Sequence, residues 1–398
     1  MPDIVITGVG IISAAGTDPE QNIRTFRGNK SPMSRLSGFT SALAEEIPVC
    51  EIKMHNNDIA QICGLKKKQN YSRTALLGLY AGREALKQAE LSSKTLENTV
   101  LISATTVGGM RRTEEYCRDQ YQKKQSRLRD INRHDPGDSA LVMADLLGTG
   151  NIATTINTAC SSSLNSIILG ARMIRQGLCE AALAGGTDCL CLFTLNGFNS
   201  LMILDKNGCR PFDSTRQGLT LGEGAGFVVL ESEDHAAKRR KIPLCRLSGW
   251  GNTCDAHHMT ASSPEGDGAV ASMNEALAMS SLKPEQIDYI NAHGTGTPNN
   301  DLSEGRALEK VFTKVPPVSS TKAVTGHTLG ASGGIETVLC ILSILHGHIY
   351  PNLRYTSPMA ELSFKPALSM LSGQKIHHVL TNSFGFGGSN STLVLSAI

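Results

Sequence analysis

The chain has 398 residues, 40% of them hydrophobic, enough for a large core, so one large domain or two similar halves are both open. A net charge of +2 gives no global field of the kind that nucleic-acid binding draws on, and 39 glycines against 15 prolines with no three-residue period indicate tight turns rather than disorder or collagen. Eleven scattered cysteines, with Cys189 and Cys191 too close together for a disulfide or a zinc knuckle, indicate a reducing, cytoplasmic compartment.

Residues 3–8 read as a buried strand ending in a glycine turn. Residues 72–90 carry Ala75, Leu79, Leu86 and Ala89 at helical spacing. A strand is expected over 98–104, followed by Val107-Gly108-Gly109, and then an exposed, charged excursion over 110–135. Asn151–Thr158 reads as a strand running into Ala159-Cys160-Ser161-Ser162-Ser163, after which Leu164 to Ile174 form a helix. Short strands follow at 180–186 and 224–230, and the charged stretch 231–242 reads as a midpoint linker.

The second half repeats this order loosely: a strand at 244–249, a helix at 267–280, and a strand at 287–292 running into His293-Gly294-Thr295-Gly296-Thr297. A helix over 332–345 and strands at 379–382 and 392–395 complete it. Strands alternating with helices predict an α/β architecture, and the faint recurrence predicts a duplicated fold, with halves at 1–240 and 241–398. The N-terminus has neither the basic region nor the apolar run of a signal peptide. No stretch approaches the roughly 18 uninterrupted apolar residues of a membrane span; the apolar run 337–345 reads as a buried helix.

Cys160 is the sharpest chemical feature. A thiol between a strand end and a helix start faces free N–H groups and the helix dipole, which favour a thiolate and can hold an oxyanion. Its alternative is a buried structural cysteine. His293 and His327 each lie in a glycine-rich turn between a strand and a helix, which admits a ligand close to the backbone. In Asn382-Ser383-Phe384-Gly385-Phe386-Gly387-Gly388, two phenylalanines hinged by glycines suit a gate for an apolar ligand, or a tight hairpin with core aromatics. Gly8-Val9-Gly10 lacks the third glycine and the closing acidic residue of a dinucleotide fingerprint, Gly222–Gly226 lacks the ending of a phosphate loop, and adjacent His257-His258 do not suit a metal.

Taken together, these segments resemble the β-ketoacyl-acyl-carrier-protein synthases of the thiolase superfamily. The resemblance rests on Thr158–Ser163, Arg210-Pro211-Phe212-Asp213 with Gly222–Gly226, Asp255–Thr260, His293–Thr297, Lys322 through His327, and Asn382–Gly388. It spans about residues 3–396. A Cys-His-His set resembles the elongating synthases, rather than the Cys-His-Asn initiating enzymes or the two-cysteine degradative thiolases.

The resemblance implies a thiolase fold: two similar βαβαβαββ halves packed as five α-β-α-β-α layers. It implies that Cys160 accepts the acyl chain, that the N–H groups of Cys160 and Phe386 form an oxyanion hole, and that His293 and His327 stabilise the enolate made by malonyl decarboxylation. Lys322, paired with Glu336, would set the local electrostatics. Thr295 and Thr297 would line the phosphopantetheine tunnel, Phe384 and Phe386 would gate it, and Val107 would set acyl pocket depth near a dimer interface. No metal or redox cofactor is implied. The partners implied are an acidic acyl carrier protein, with Lys67, Lys68, Arg127 and Arg129 as docking residues, and either a second copy or a subunit resembling a chain-length factor; nucleic acid and membrane are not. Ser214–Gly218, Pro298–Asp301 and the 110–150 region depart from the family pattern, which leaves fatty-acid and type II polyketide or aryl-polyene elongation both open. The competing readings are a non-catalytic chain-length-factor-like subunit, against which the intact Cys160, His293 and His327 argue, and a non-decarboxylating thiolase.

Overall fold

The computed structural model describes residues 2–66, 70–150 and 152–398. Ten strands lie in chain order: β1 (Ile4–Ser13), β2 (Val100–Ala104), β3 (Ala153–Ile156), β4 (Ala181–Asp188), β5 (Gly224–Ser232), β6 (Cys245–Cys254), β7 (Tyr289–Asn291), β8 (Val318–Ser319), β9 (His378–Gly385) and β10 (Ser389–Ser396). Six of the helices frame them: α1 (Arg73–Ala89), α2 (Pro136–Leu147), α3 (Ser162–Arg175), α4 (Asp267–Ser280), α5 (Pro298–Val311) and α6 (Ser332–His346).

The strands form one hydrogen-bonded sheet in the order β3-β2-β4-β5-β1-β6-β10-β9-β7-β8. Read outward from the centre, β1-β5-β4-β2-β3 mirrors β6-β10-β9-β7-β8. The pairing types match as well: antiparallel for β1–β5 and β5–β4, parallel for β4–β2 and β2–β3, and the same along the other arm. The arms join where Ile4–Ile6 pairs with Cys245–Leu247. Helices α3 and α6 pack together between the two arms, α1 and α2 cover one outer face, and α4 and α5 cover the other. These are the five layers of the thiolase fold.

Strands β1 and β4 run mostly apolar rather than alternating because both of their faces are covered. Every residue of β1 and of β4 is buried. The Gly8-Val9-Gly10 lure has a packing explanation: a Cβ at Gly8 or Gly10 would stand 2.1 or 1.8 Å from the Ala85 or Ala81 carbonyl of α1. Gly249 and Gly251 of β6 meet α4 in the same way, at 2.2 and 2.0 Å from the Ala276 and Ser272 carbonyls. The duplication is therefore written in a Gly-x-Gly pair on the first strand of each arm.

Two expectations need correction, and a third gains detail. The 231–242 stretch is not a linker: its first residues complete β5, and Glu233–Lys238 form a helix capped by Ser232. The 110–135 excursion is charged and without a buried residue in its helices, as expected, and it is helical over Met110–Tyr121 and Leu128–Arg133. The strand before Cys160 is confined to Ala153–Ile156. All eleven cysteines are free. The helical stretch Leu329–His346 is long and apolar enough to cross a membrane, but 83% of it is buried, as a core helix is.

Candidate active site

The site is assembled at the C-terminal ends of parallel strands. Cys160 follows β3 and lies two residues before α3. Ala159, just before it, takes φ +52°, a left-handed turn that costs a non-glycine residue about 1–3 kcal/mol and turns the chain sharply out of the strand. His293 follows β7 and His327 follows β8. All three are buried, and their donor atoms lie within 4.8 Å of one another. His327 Nε2 is 3.0 Å from Cys160 Sγ, and the two imidazoles meet edge to face at 5.4 Å. Such a cluster is also a possible metal set, but two ligands of a tetrahedral zinc stand roughly 3.5 Å apart given its Zn–S and Zn–N distances. The Nε2–Sγ separation is that of a hydrogen bond.

The structure brings Lys322 and Glu336 to the same centre. Lys322 Nζ donates to Glu336 Oε1, to the His293 carbonyl at 2.6 Å and to His293 Nδ1 at 3.3 Å. An ammonium has no acceptor, so His293 Nδ1 is unprotonated and Nε2 carries the proton. His327 is held differently: its Nδ1 lies 3.0 Å from Ser332 Oγ, a hydroxyl that also receives the Thr328 N–H. A hydroxyl can donate or accept, so His327 is free to carry its proton on either nitrogen.

Burial, reinforced by the Lys322 charge, holds both imidazoles well below the usual histidine range. Burial also pushes the Cys160 thiol up to about 12, against the lowering effects of Lys322 and the Phe386 N–H. This corrects the expected resting thiolate: the helix start is where the sequence places it, but desolvation of the sulfur outweighs it, and His327 Nε2 stands at hydrogen-bond distance from the sulfur.

A cavity of about 360 Å³ opens above these groups. Thr295, Thr297, Phe384 and Phe386 line it together with Cys160, His293 and His327. Phe384 sets its ring edge-on to His293 at 5.9 Å, and Phe386 stacks on Phe198 at 5.9 Å. Val107 does not line the cavity: its side chain is buried in the core cluster that includes Met143 and Leu329. Arg127 and Arg129 are exposed and form no ion pair among the described residues; Lys67 and Lys68 lie outside those residues.

Several site residues do not stand out in sequence. Glu304 is fully buried in α5 and accepts the His293 and Gly294 N–H groups at 2.8 Å each, fixing the histidine turn. Asp301, one turn earlier, accepts from Gly296 and Phe212. Two carboxylates in the first turns of a helix that directly follows His293-Gly-Thr-Gly-Thr-Pro are the available signal, since such groups cap exposed N–H donors. Asp188, Ser332 and Phe198 carry no comparable signal.

Residues 1–236 match the family description "Beta-ketoacyl synthase, N-terminal domain" and residues 244–356 match "Beta-ketoacyl synthase, C-terminal domain". The chain belongs to the beta-ketoacyl synthase family. It is 31% identical over 412 residues to 3-oxoacyl-[acyl-carrier-protein] synthase 2 of Staphylococcus aureus, covering 98% of this chain and 97% of that one. The structure described as the ishigamide ketosynthase/chain length factor superposes with a TM-score of 0.93 at 29% identity, over 100% of this chain and 99% of that one. The ketosynthase ApeO, solved in complex with its chain length factor ApeC from Xenorhabdus doucetiae, gives 0.86 at 30% identity, over 100% and 98%. The synthase fold and the Cys-His-His cluster thus occur together in this chain.

Proposed function

We propose that this synthase catalyses decarboxylative condensation of an acyl thioester with malonyl-acyl-carrier protein, extending a fatty-acid or type II polyketide chain. The observation that carries the reading is the 3.0 Å contact of Cys160 Sγ with His327 Nε2 beneath an apolar tunnel, next to a His293 whose outer nitrogen is fixed as a donor.

In the first step Cys160 Sγ attacks the acyl thioester as His327 Nε2 takes its proton. The N–H groups of Cys160 and Phe386 receive the oxyanion, the carrier thiol leaves, and it takes the proton back from His327. In the second, malonyl thioester occupies the tunnel along Thr295 and Thr297. Its C–C bond to the carboxylate breaks, CO2 departs, and the electron pair enters an enolate whose oxygen accepts from His293 and His327. Neutral donors suit this step because they strengthen as charge develops. The enolate carbon attacks the Cys160 thioester, the C–S bond breaks, and the thiolate recovers a proton from solvent through His327. These steps require no metal or redox cofactor.

The two halves divide the work: residues 1–240 bear the nucleophile, and 241–398 bear both histidines. The partners are an acyl carrier protein, approached through Arg127, Arg129, Lys67 and Lys68, and either a second copy or a chain-length-factor-like subunit like those in the ishigamide and ApeO–ApeC structures. The compartment is the cytoplasm, consistent with eleven free cysteines. Intact-protein mass spectrometry of wild type and Cys160→Ala after exposure to a panel of acyl-carrier thioesters tests the reading. An adduct on wild type alone supports it, and an adduct on the alanine variant overturns it.

A further inference from the structure

We infer that Asp188 is a positioning residue that registers His327 against Cys160 and ties both to the Thr105–Val107 segment. This rests on the proposed roles of Cys160 and His327. Asp188 ends β4, is fully buried, and gathers five donors. These are the Thr105 hydroxyl, the Thr106 N–H at 3.0 Å, the Thr106 hydroxyl at 2.8 Å, the Val107 N–H at 3.0 Å and the Gly330 N–H at 2.7 Å. A carboxyl met only by donors is favoured in its ionised, acceptor-only form.

Gly330 is gripped on both sides, through the two successive peptide groups that flank its Cα. Asp188 takes its N–H, and the Ser163 hydroxyl donates to its carbonyl. Ser163 lies in the first turn of α3, three residues after the nucleophile, and Gly330 lies between His327 and Ser332, the residue that holds the His327 ring. The grip therefore spans the two chain segments whose side chains meet at the 3.0 Å contact. There is no slack in it: a Cβ at Gly330 would stand 2.9 Å from Asp188 Oδ2 and 3.2 Å from the Thr106 amide nitrogen. Asp188 is not among the residues lining the tunnel, so it acts on geometry and not on substrate.

The test compares wild type, Asp188→Asn, Asp188→Glu and Ser163→Ala. Each is assayed for kcat and KM with malonyl carrier, for the rate of Cys160 alkylation by iodoacetamide, and for melting temperature. An amide places its NH2 group against donors, so Asp188→Asn is expected to lower kcat by about 10- to 100-fold, the scale on which sub-ångström misplacement of reacting groups acts. KM should stay within about twofold, because the tunnel walls are untouched. Asp188→Glu, which restores the charge, should recover part of the lost rate. Ser163→Ala, which releases the carbonyl side of Gly330, should lower kcat in the same direction without touching the carboxylate, so the idea stays testable even if Asp188→Asn folds poorly. Wild-type kcat in folded Asp188→Asn, or equal loss in the Asn and Glu variants with wild-type kcat in Ser163→Ala, overturns the proposal. A wild-type enzyme that forms no adduct at Cys160 overturns the catalytic reading itself, which these variants leave apart.

Discussion

Lys322→Met probes how His293 is prepared for the enolate. All three Lys322 contacts lie within the buried centre: Glu336 Oε1, the His293 carbonyl and His293 Nδ1. Methionine keeps the bulk of the stem and removes every donor. Two effects follow. Glu336 is left as a buried carboxylate whose Oε2 already lacks a partner; removing one side of a buried ion pair costs about 3–5 kcal/mol. That cost shrinks to the extent that Glu336 takes a proton, the direction in which burial already pushes it. Separately, His293 Nδ1 is no longer obliged to be the acceptor, so Nε2 is no longer held as a donor. Losing one donor at a developing oxyanion costs about 10²–10³ in rate.

Decarboxylation of malonyl carrier in a Cys160→Gln background isolates this second effect, because acyl transfer is removed and enolate formation remains. We expect a drop of about 10²–10³ on adding Lys322→Met. The further change Glu336→Leu should restore most of the lost stability, since no unpaired charge remains, and none of the rate. Decarboxylation within about threefold of the background, a difference well under 1 kcal/mol, would refute the argument that Lys322 sets the His293 tautomer.

Four other outcomes are expected. Glu304→Gln should destabilise the fold by about 1–3 kcal/mol, because one of the His293 and Gly294 N–H groups then faces an amide NH2; thermal melting measures it. Arg73→Met, at a residue that does not line the tunnel, leaves Glu223 buried without its partner and should lower stability by about 3–5 kcal/mol. Phe386→Ala removes the stack on Phe198, worth about 0.5–1.5 kcal/mol, and should raise off-pathway hydrolysis of the Cys160 thioester, read as free acid released per condensation. Nitrogen NMR of the histidines should find His293 and His327 still neutral at about pH 5.5, below the ordinary histidine midpoint. Since the unfolded chain binds those protons and the folded chain does not, their contribution to stability is present above that midpoint and is lost as pH falls.

What the sequence discloses follows from the range of the forces involved. Strand-to-helix turns are local, so Cys160, His293 and His327 were each visible in their own segment, as was the apolar character of β1 and α6. Long-range effects were not. The Cys160 thiol looks like a thiolate from its helix start, yet burial by residues hundreds of positions away decides its proton. Asp188 reads as an ordinary polar residue at a strand end, and only the fold shows five donors converging on it. The duplication shows faintly in sequence because it is carried by topology and by the two Gly-x-Gly pairs.

The mirrored arms explain why these three side chains meet. Strands β3 and β8 occupy corresponding edge positions, and α3 and α6, which follow them, pack together in the middle layer. The turns entering those two helices are therefore brought face to face, one carrying Cys160 and the other His327. Had both arms kept the same residue there, two like groups would stand about 3 Å apart, and they would suppress one another's ionisation rather than exchange a proton. With a thiol in one turn and an imidazole in the other, the contact can serve as the nucleophile and base of the proposed mechanism. The ends of β2 and β7 also correspond: the first leads into Thr105–Val107 and the second into His293. One arm uses this position to anchor Asp188 and the other to bring His293 to the tunnel, so in the proposed mechanism the first half supplies the clamp and the nucleophile, while the second supplies the acid–base groups.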